Sequence, residues 1–499
     1  MLLKPDEVFD RDFEWSALSR FIADDQPGAT LGIVSGRRRQ GKTYLLQTAC
    51  QAAGGFYFGA TEATDAEALR QIGDALTTYL SPASPFHFAY WAEAISVVLS
   101  LGADRPVPVV IDEFPYLTKA NPELPSVIQQ ALSPFGHARS DTRTRLLLCG
   151  SALSVMGRLL SGTAPLRGRA GLELIIPPLD HRLAAQFWGI DDPRLAIRVN
   201  AIVGGTPAYR REFIRDDAPS GPGDFDSWVI RTVLNPETPL FREGRYLLAE
   251  EPDLRDGALY HSVLAAIAEG NATRGGIAGY IGRKNADIAH PIDVLEDSGL
   301  ITRDADAFRD NRSTYRIAEP LITFYHAVMR PVWDQLARPG NAPRVWQASR
   351  QRFSGKVLGP HFERICRAWA LNYADPDRLG GLPAKVGTGV LNDAVGRSAH
   401  EVDVVVAGIP DGKTPLLAIG EAKWNEVMGV HHLERLRHVK SLIGSRSRYD
   451  TSGTRLACFS GAGFTDELRA AADSAPDVLL VSPAELYGLA VTGIGGAGR

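Results

Sequence analysis

The chain has 499 residues, of which 44% are hydrophobic and 22% charged, and its formal net charge at pH 7 is −4. This balance predicts a globular protein of about three domains and excludes a uniformly basic nucleic-acid binder. The four cysteines are scattered without a C-x-x-C spacing, which argues against a zinc knuckle.

The first motif is a glycine-rich loop after a short apolar run. Residues 31–48 read LGIVSGRRRQGKTYLLQT, which places G-x-x-x-x-G-K-T between a predicted strand and a predicted helix. The glycines let the loop turn its N–H groups toward phosphates, the lysine reaches the outer phosphates, and the threonine hydroxyl ligates Mg²⁺. We therefore expect ATP and Mg²⁺ to bind at the loop residues Gly36, Arg37, Arg38, Arg39, Gln40, Gly41, Lys42 and Thr43.

Two further apolar runs end in polar residues. In VPVVIDEF, residues 107–114, we assign Asp112 to Mg²⁺, held through water, and Glu113 to polarising the attacking water. In RLLLCGS, residues 145–151, Ser151 stands where AAA+ and related ATPases place a residue that senses the γ-phosphate. Strands that alternate with helices predict a parallel sheet, and its carboxyl ends would gather these motifs at one edge.

The stretch APLRGRAG, residues 164–171, contains two arginines. Either Arg167 or Arg169 is a candidate arginine finger, acting within the chain or across a subunit contact in a homo-oligomer. The alternative is that both are solvated loop residues. We assign Arg169 to the nucleotide.

Together these motifs resemble the archaeal-type ATPase family, which lies near the STAND and AAA+ ATPases. The resemblance rests on FDRDFEW, GRRRQGKT, VIDEF, LLLCGS, APLRGR and GGTPAY, between residues 9 and 209. It implies that Arg11 and Glu14 lie beside the adenine and that Pro207, in a G-x-P turn that begins at Gly205, approaches the nucleotide from a helical lid. Relatives often have tyrosine at the position of Arg167. Many members also carry a C-terminal nuclease-like domain.

The middle of the chain is predicted to be mainly helical. Residues 181–250 form a lid and linker, with a Pro/Gly break at 219–223, and residues 260–316 read as three short helices and a β-hairpin. That order is typical of a winged helix. The helix expected to read DNA carries two bases and four acids, and the wing loop carries three of each, so neither shows a basic excess for binding phosphates. Pro291 is expected to kink the helix. We favour a structural or regulatory role over DNA binding, which stays open.

The C-terminal region contains two strands joined by a turn. HEVDVVVA (400–407) and LLAIGEAKW (416–424) flank IPDGKTP and predict a hairpin. Glu421 and Lys423 share one face of their strand, and Asp403 stands on the neighbouring strand. This is similar to the PD-(D/E)xK nucleases, in which the carboxylates share Mg²⁺ and the lysine orients or deprotonates water. The same resemblance implies an acid on a preceding helix, here Glu363. A structural Glu–Lys ion pair is the alternative.

The expected fold class is α/β, in four parts. These are a P-loop AAA+/STAND-like ATPase core (1–175), a helical lid and linker (176–255), a winged-helix domain (256–335) and a restriction-endonuclease-like domain (351–499). We expect an ATPase fused to a metal-dependent nuclease. DNA is the expected substrate, as a hypothesis that no base-reading motif supports. Basic residues outnumber acids within 331–370 and 431–448, which would place positive charge near a phosphate backbone; a solvated basic helix face is the alternative. The alternative is a STAND-like switch whose C-terminal domain binds without cleaving.

The chain is expected to act in the cytoplasm. No apolar run reaches the roughly 18–20 residues that a membrane span needs. The acidic N-terminal stretch lacks the apolar segment of a signal peptide.

Overall fold

The computed structural model describes residues 2–133, 142–249, 257–393, 396–445 and 448–489. They form two compact units. The first unit contains the residues up to Pro178 with the short segments 206–208 and 297–299, and the second contains the remaining residues. The finer division into four domains stays a prediction.

The first unit is built on a five-stranded sheet. Its strands are β1 (Thr30–Ser35), β2 (Phe56–Gly59), β3 (Val107–Asp112), β4 (Thr144–Gly150) and β5 (Ala170–Ile175), in the spatial order β2-β3-β4-β1-β5. Every neighbouring pair is parallel, as the sequence predicted. Val109 and Ile111 belong to the core on one face and Val110 to the core on the other. Burial on both faces explains why these strands read as continuous apolar runs.

Seven helices accompany this sheet in the described part of the first unit. They are α1 (Asp12–Ile22), α2 (Lys42–Ala52), α3 (Asp65–Leu80), α4 (Trp91–Ser100), α5 (Phe114–Ala120), α6 (Leu124–Ala131) and α7 (Leu153–Leu160). Strand register matters most for the site: Ser35 pairs with Gly150, and Gly59 pairs with Asp112. The carboxyl ends of β1, β3 and β4 therefore meet at one edge of the sheet.

The second unit begins with helices and a small hairpin. Its elements before the second sheet are α8 (His181–Trp188), α9 (Pro193–Val203), a π-helical turn (Tyr209–Phe213), a 3-10 turn (Pro222–Asp224), α10 (Phe225–Arg231), α11 (Pro239–Ala249), α12 (Gly257–Ala268), α13 (Arg274–Ile281), α14 (Ala289–Asp297), β6 (Ile301–Ala305), β7 (Ser313–Ile317), α15 (Pro320–Phe324), a π-helical turn (Tyr325–Met329), a 3-10 turn (Arg330–Val332), α16 (Trp333–Leu336), α17 (Ala342–Phe353), a π-helical turn (Ser354–Leu358), α18 (Gly359–Asn372) and α19 (Pro376–Leu379).

Three helices and an antiparallel hairpin thus follow one another between residues 257 and 317, in the predicted order. Their identity as a winged helix stays a prediction. The predicted kink at Pro291 is wrong. Helix α14 begins at Ala289, so the proline lies in the first turn, where its missing N–H would have no partner within the helix.

The second sheet is mixed, as predicted. Its strands are β8 (Pro383–Asp393), β9 (Ser398–Gly408), β10 (Thr414–Lys423), β11 (Tyr449–Asp450), β12 (Arg455–Ser460) and β13 (Val478–Val481). The order is β13-β12-β10-β9-β8, with β11 beside β10; β8, β9 and β10 are antiparallel, while β10, β12 and β13 are parallel. Helices α20 (Val430–Gly444), α21 (Asp466–Asp473) and α22 (Pro483–Leu486) complete the region. Leu433 and Leu436 of α20 share a core with Val405 and Ile419 of the sheet.

The tip of the β6–β7 hairpin is docked on strand β8. The N–H of Ala307 donates to the carbonyl of Thr388 at 2.9 Å, and the Asp306 carboxylate accepts the N–H of Val390 at 3.2 Å. The hydroxyl of Tyr449 donates to the Ala307 carbonyl at 2.6 Å. This hairpin tip is therefore engaged within its own unit.

Candidate functional site

The glycine-rich loop between β1 and α2 curls as predicted. Gly36, Arg39 and Gly41 have φ angles of 154°, 66° and 84°, which a run of ordinary L-residues would rarely adopt. A Cβ at Gly36 would lie 2.5 Å from the carbonyl oxygen of Ile176, so only glycine fits there. Helix α2 begins directly after the loop, at Lys42. The backbone N–H groups at its start are the donors that a phosphate binds.

This geometry makes Gly36 a site where even alanine is harmful. We expect Gly36→Ala to lower the free energy of unfolding by about 1–3 kcal/mol, because the methyl group meets a backbone oxygen and φ is unfavourable. Gly157→Ala is the matched control, since a Cβ there meets nothing within 4 Å and the residue lies in a helix. Chemical denaturation of both variants checks the expectation, and equal losses would contradict it.

Lys42 lies almost completely buried under the loop. Its ammonium group donates to the carbonyl of Arg37 at 2.8 Å, and the residue is 5% exposed. Burial lowers the pKa of Lys42, while Cys149, Glu113 and Asp112 oppose this by favouring the charged form. The Lys42 amine is thus desolvated, and an anionic ligand placed beside it would stabilise its charged form more strongly than in water.

Asp112, at the end of β3, accepts hydrogen bonds from two hydroxyl groups. The Thr43 hydroxyl donates to its Oδ2 atom at 2.7 Å, and the Tyr57 hydroxyl donates to the same atom at 2.9 Å. Burial, followed by the charge of Asp112, raises the pKa of Tyr57. The contact between Thr43 and Asp112 joins the two residues that the sequence assigned to Mg²⁺. Tyr57 was missed, because only the pairing of β2 with β3 brings it there.

Glu113 is held by Ser151. The serine Oγ lies 3.0 Å from each carboxylate oxygen of Glu113, and Ser151 is 3% exposed. Glu113 has a φ of 52°, in the left-handed region that a non-glycine residue rarely occupies. Backbone strain of this kind concentrates at functional sites. The structure therefore brings together the predicted water-polarising acid and the predicted γ-phosphate sensor.

Residues near both ends of the first unit surround the loop. Arg11 forms a 3.2 Å ion pair with Glu14 and donates to the carbonyls of Gln40 and Pro177 at 3.3 and 2.8 Å. The Gln40 side-chain amide donates to the Thr206 hydroxyl at 3.2 Å, and the N–H of Ala208 reaches the carbonyl of Arg39. Pro207, between Thr206 and Ala208, consequently lies beside the loop.

The position of Arg169 corrects one prediction. It directly precedes β5, whose first residue, Ala170, pairs with Leu31 of the parallel strand β1. Arg169 therefore lies at the amino end of the sheet, roughly 20 Å from the glycine loop at about 3.3 Å per residue. Assigning Arg169 to the nucleotide of its own chain is wrong for this reason. Contact with a neighbouring subunit's nucleotide stays a prediction. Arg167 is exposed and donates to the carbonyl of Gly162 at 2.6 Å.

The second candidate site lies where β9 and β10 pair. The Lys423 ammonium is 3.2 Å from Oε1 of Glu421, and the Arg435 guanidinium is 2.8 Å from its Oε2. Asp403 on β9 accepts the N–H of Ala422 at 2.9 Å. Glu363 lies on α18, with its carboxylate 3.8 Å from the guanidinium of Arg367.

The charges of this cluster influence one another strongly. Burial, then the charge of Asp403, raises the pKa of Glu363 to about 7. Burial also raises the pKa of Asp403, although the Ala422 N–H and Lys423 oppose the shift. For Lys423, burial alone would lower the pKa, but Asp403 and Glu421 raise it. Burial is thus the first cause of both carboxyl shifts, and a bound cation would oppose it by favouring the charged carboxylates.

Compact groups of metal-ligating side chains occur elsewhere in the same region. In the described residues, two groups have ligand atoms all within 4.8 Å of one another: Asp393, His400 and His438, and Glu426, His431 and His432. The predicted set of Glu363, Asp403 and Glu421 is not among them. Its members would need to move closer together to share one ion.

No family model matches the chain. A Methanocaldococcus jannaschii protein described as uncharacterized is 24% identical over 425 residues, which are 84% of this chain and 88% of that protein. The Walker-type ATPase PABY2304 of Pyrococcus abyssi is 20% identical and covers 65% of this chain and 99% of its own, with a TM-score of 0.49. The ORC2 protein of Aeropyrum pernix, as ADPNP–ADP complexes, is 13% identical and covers 70% of this chain and 100% of its own, with a TM-score of 0.41. At these values, the similarities assign neither a family nor an activity to this chain.

Across the described residues, none of the helices combines the length and apolar character required to cross a membrane.

Proposed function

We propose that the first unit binds and hydrolyses ATP with Mg²⁺. The observation that carries this proposal is the 2.7 Å hydrogen bond between the Thr43 hydroxyl and Asp112, directly after the curled glycine loop. A hydroxyl and a carboxylate are oxygen donors of the kind Mg²⁺ takes, so Thr43 and Asp112 fit the ion. Mg²⁺ held by them would neutralise charge on the phosphates.

The chain's own residues supply the remaining functions. The loop N–H groups and Lys42 bind the phosphates, and Lys42 exchanges its contact with the Arg37 carbonyl for phosphate oxygens. Glu113 orients the attacking water and draws off its proton, while Ser151 fixes the direction of the Glu113 carboxylate. Arg11 and Pro207 flank the loop, where the adenosine would lie.

Replacement of Lys42 tests nucleotide binding. We expect Lys42→Ala to weaken ATP binding by about 10- to 100-fold, because a charge-assisted hydrogen bond is worth about 1.5–3 kcal/mol. Isothermal titration with ATP and Mg²⁺ measures the change. The control is Lys119→Ala, which removes an exposed lysine paired with Glu62 in the same unit. Unchanged affinity in Lys42→Ala would contradict nucleotide binding at this loop.

We further propose that the C-terminal sheet cleaves DNA with a divalent ion. Support comes from the 3.2 Å contact between Lys423 and Glu421 and from the neighbouring positions of Asp403 and Glu363, which are close enough for the charge of Asp403 to act on Glu363. The donors are all carboxylate oxygens, which suit Mg²⁺ or Mn²⁺, and such an ion would lower the pKa of a bound water. Lys423 would orient that water. The basic sequence on both sides of the site favours a phosphate backbone as the substrate.

One observation favours a second candidate, an ATP-dependent switch that binds nucleic acid or a partner protein without cutting. Both oxygens of the Glu421 carboxylate already face cations, Lys423 and Arg435. A metal ion would have to replace part of this pairing. A purified chain that binds DNA and never cleaves it with Mg²⁺ or Mn²⁺ would establish this second candidate.

The four-part division predicted from the sequence is proposed as the functional organisation. ATP binding and hydrolysis would shift the lid and the winged-helix region and so control access to the C-terminal site. Cleavage assays with and without ATP test this control. The proposed location is the cytoplasm.

A further inference from the structure

Three side chains converge at the outer end of the β8–β9 hairpin. Asp393 ends β8, His400 lies near the start of β9, and His438 lies on helix α20. The Nε2 atom of His438 is 3.2 Å from Oδ2 of Asp393, and the Nε2 atom of His400 is 3.9 Å from the same oxygen. The three ligand atoms all lie within 4.8 Å of one another.

Two imidazoles from different elements place the same type of nitrogen near Oδ2 of Asp393, His438 at hydrogen-bond distance and His400 at 3.9 Å. The Nε2 atom of His400 is also 3.2 Å from the Ser398 hydroxyl oxygen, a contact that a bound ion would replace. The two rings meet edge to face, at an interplanar angle of 74°, with their centroids 5.3 Å apart. Convergence of two histidines and one carboxylate is a typical ligand set for a transition metal.

The site is also held in place by its surroundings. The other oxygen of Asp393, Oδ1, accepts the N–H of Gly396 at 2.9 Å, which fixes the carboxylate while Oδ2 faces the histidines. The Asp393 side chain is 7% exposed, and that of His400 is 19% exposed. His438 is half exposed, which leaves a path for an ion from solvent.

We propose that Asp393, His400 and His438 bind one transition-metal ion of the Zn²⁺ class. Two imidazole nitrogens and a carboxylate oxygen favour Zn²⁺ over Mg²⁺, which prefers a full shell of oxygen ligands. Three protein ligands leave a fourth position for water. The ion clamps the β8–β9 hairpin to helix α20, and the site is separate from the proposed carboxylate centre of Asp403 and Glu421.

The other compact group supplies a matched control. Glu426 and His431 are largely exposed, at 52% and 71% of their side chains, and only His432 is buried. Two of its three ligands therefore remain largely in contact with water. Replacing His431 removes a histidine from the same helix and leaves the proposed site intact.

Metal titration of the full chain tests the proposal. We expect one Zn²⁺ per chain by metal analysis after dialysis, a rise in Tm with Zn²⁺, and visible absorption typical of a four-coordinate site with Co²⁺. His438→Ala and His400→Ala are each expected to weaken binding by more than about 100-fold, since even outer-shell losses cost about 10- to 100-fold. His431→Ala should bind as the parent does.

Three outcomes would overturn the proposal. The first is the absence of stoichiometric Zn²⁺ or Co²⁺ in the parent chain. The second is binding that survives in both His438→Ala and His400→Ala, and the third is binding that is lost in His431→Ala instead. Because His438 is half exposed, its replacement should leave the fold intact, and the Tm without metal verifies this. None of these readouts depends on ATP hydrolysis or DNA cleavage.

Discussion

Glu113→Gln is expected to lower ATP turnover by about 10²- to 10⁴-fold while leaving ATP affinity close to that of the parent. Glutamine keeps the size of glutamate and can still bond the Ser151 hydroxyl, but it cannot accept a proton from water. Steady-state phosphate release measures turnover, and titration with ATP measures affinity. A variant that binds ATP and does not hydrolyse it would assign the catalytic base.

The control for this experiment is Glu123→Gln, an exposed glutamate on the same unit. It should hydrolyse ATP at the parental rate. If Glu113→Gln also hydrolysed ATP at that rate, the assignment of Glu113 would fail. If both binding and turnover were lost, the measured Tm would distinguish loss of folding from loss of chemistry.

Asp403→Asn is expected to abolish metal-dependent DNA cleavage, with a loss of about 1,000-fold or more. Metal-held charge stabilisation is worth several kcal/mol, and each 1.36 kcal/mol is tenfold in rate. Asparagine still offers an oxygen to the N–H of Ala422, so the pairing of β9 with β10 should persist. Supercoiled, linear and single-stranded DNA are the substrates, each with Mg²⁺ or Mn²⁺ and with or without ATP.

Asp411→Asn, in the exposed turn of the same hairpin, is the matched control and should cut as the parent does. Equal cleavage by Asp403→Asn and the parent would assign the cutting to a contaminant or to other residues. Cleavage that appears only with ATP would indicate that the proposed nucleotide site controls the proposed DNA cleavage.

Much of the fold was predictable because local signals agreed with it. The apolar runs at residues 31, 107 and 145 became parallel strands, and polar residues at their carboxyl ends met at one edge. The turn IPDGKTP joins β9 and β10, in which Ile419 pairs with Val405. Here, the turn-forming residues and the two apolar runs both predicted that β9 pairs with β10.

The residue that was assigned wrongly and the residues that were not predicted depend on strand pairing and helix packing. Short sequence motifs do not specify either. Arg169 follows a motif-like stretch, but the parallel pairing of β5 with β1 carries it to the far edge of the sheet. Tyr57 reaches Asp112 only because β2 lies beside β3. His400 and His438 are distant in sequence, and they meet because helix α20 packs on the sheet. Tertiary packing alone could reveal these contacts.

Because the tip of the β6–β7 hairpin is docked on β8, binding of this tip in a DNA groove would cost free energy. Entry of the tip into a DNA groove would first require release of the Ala307–Thr388, Asp306–Val390 and Tyr449–Ala307 hydrogen bonds. DNA would therefore compete with the protein's own strand β8, and the observed affinity would be reduced by the fraction of molecules with an undocked tip. Conversely, a rotation of the hairpin that keeps these bonds has to rotate β8 with it.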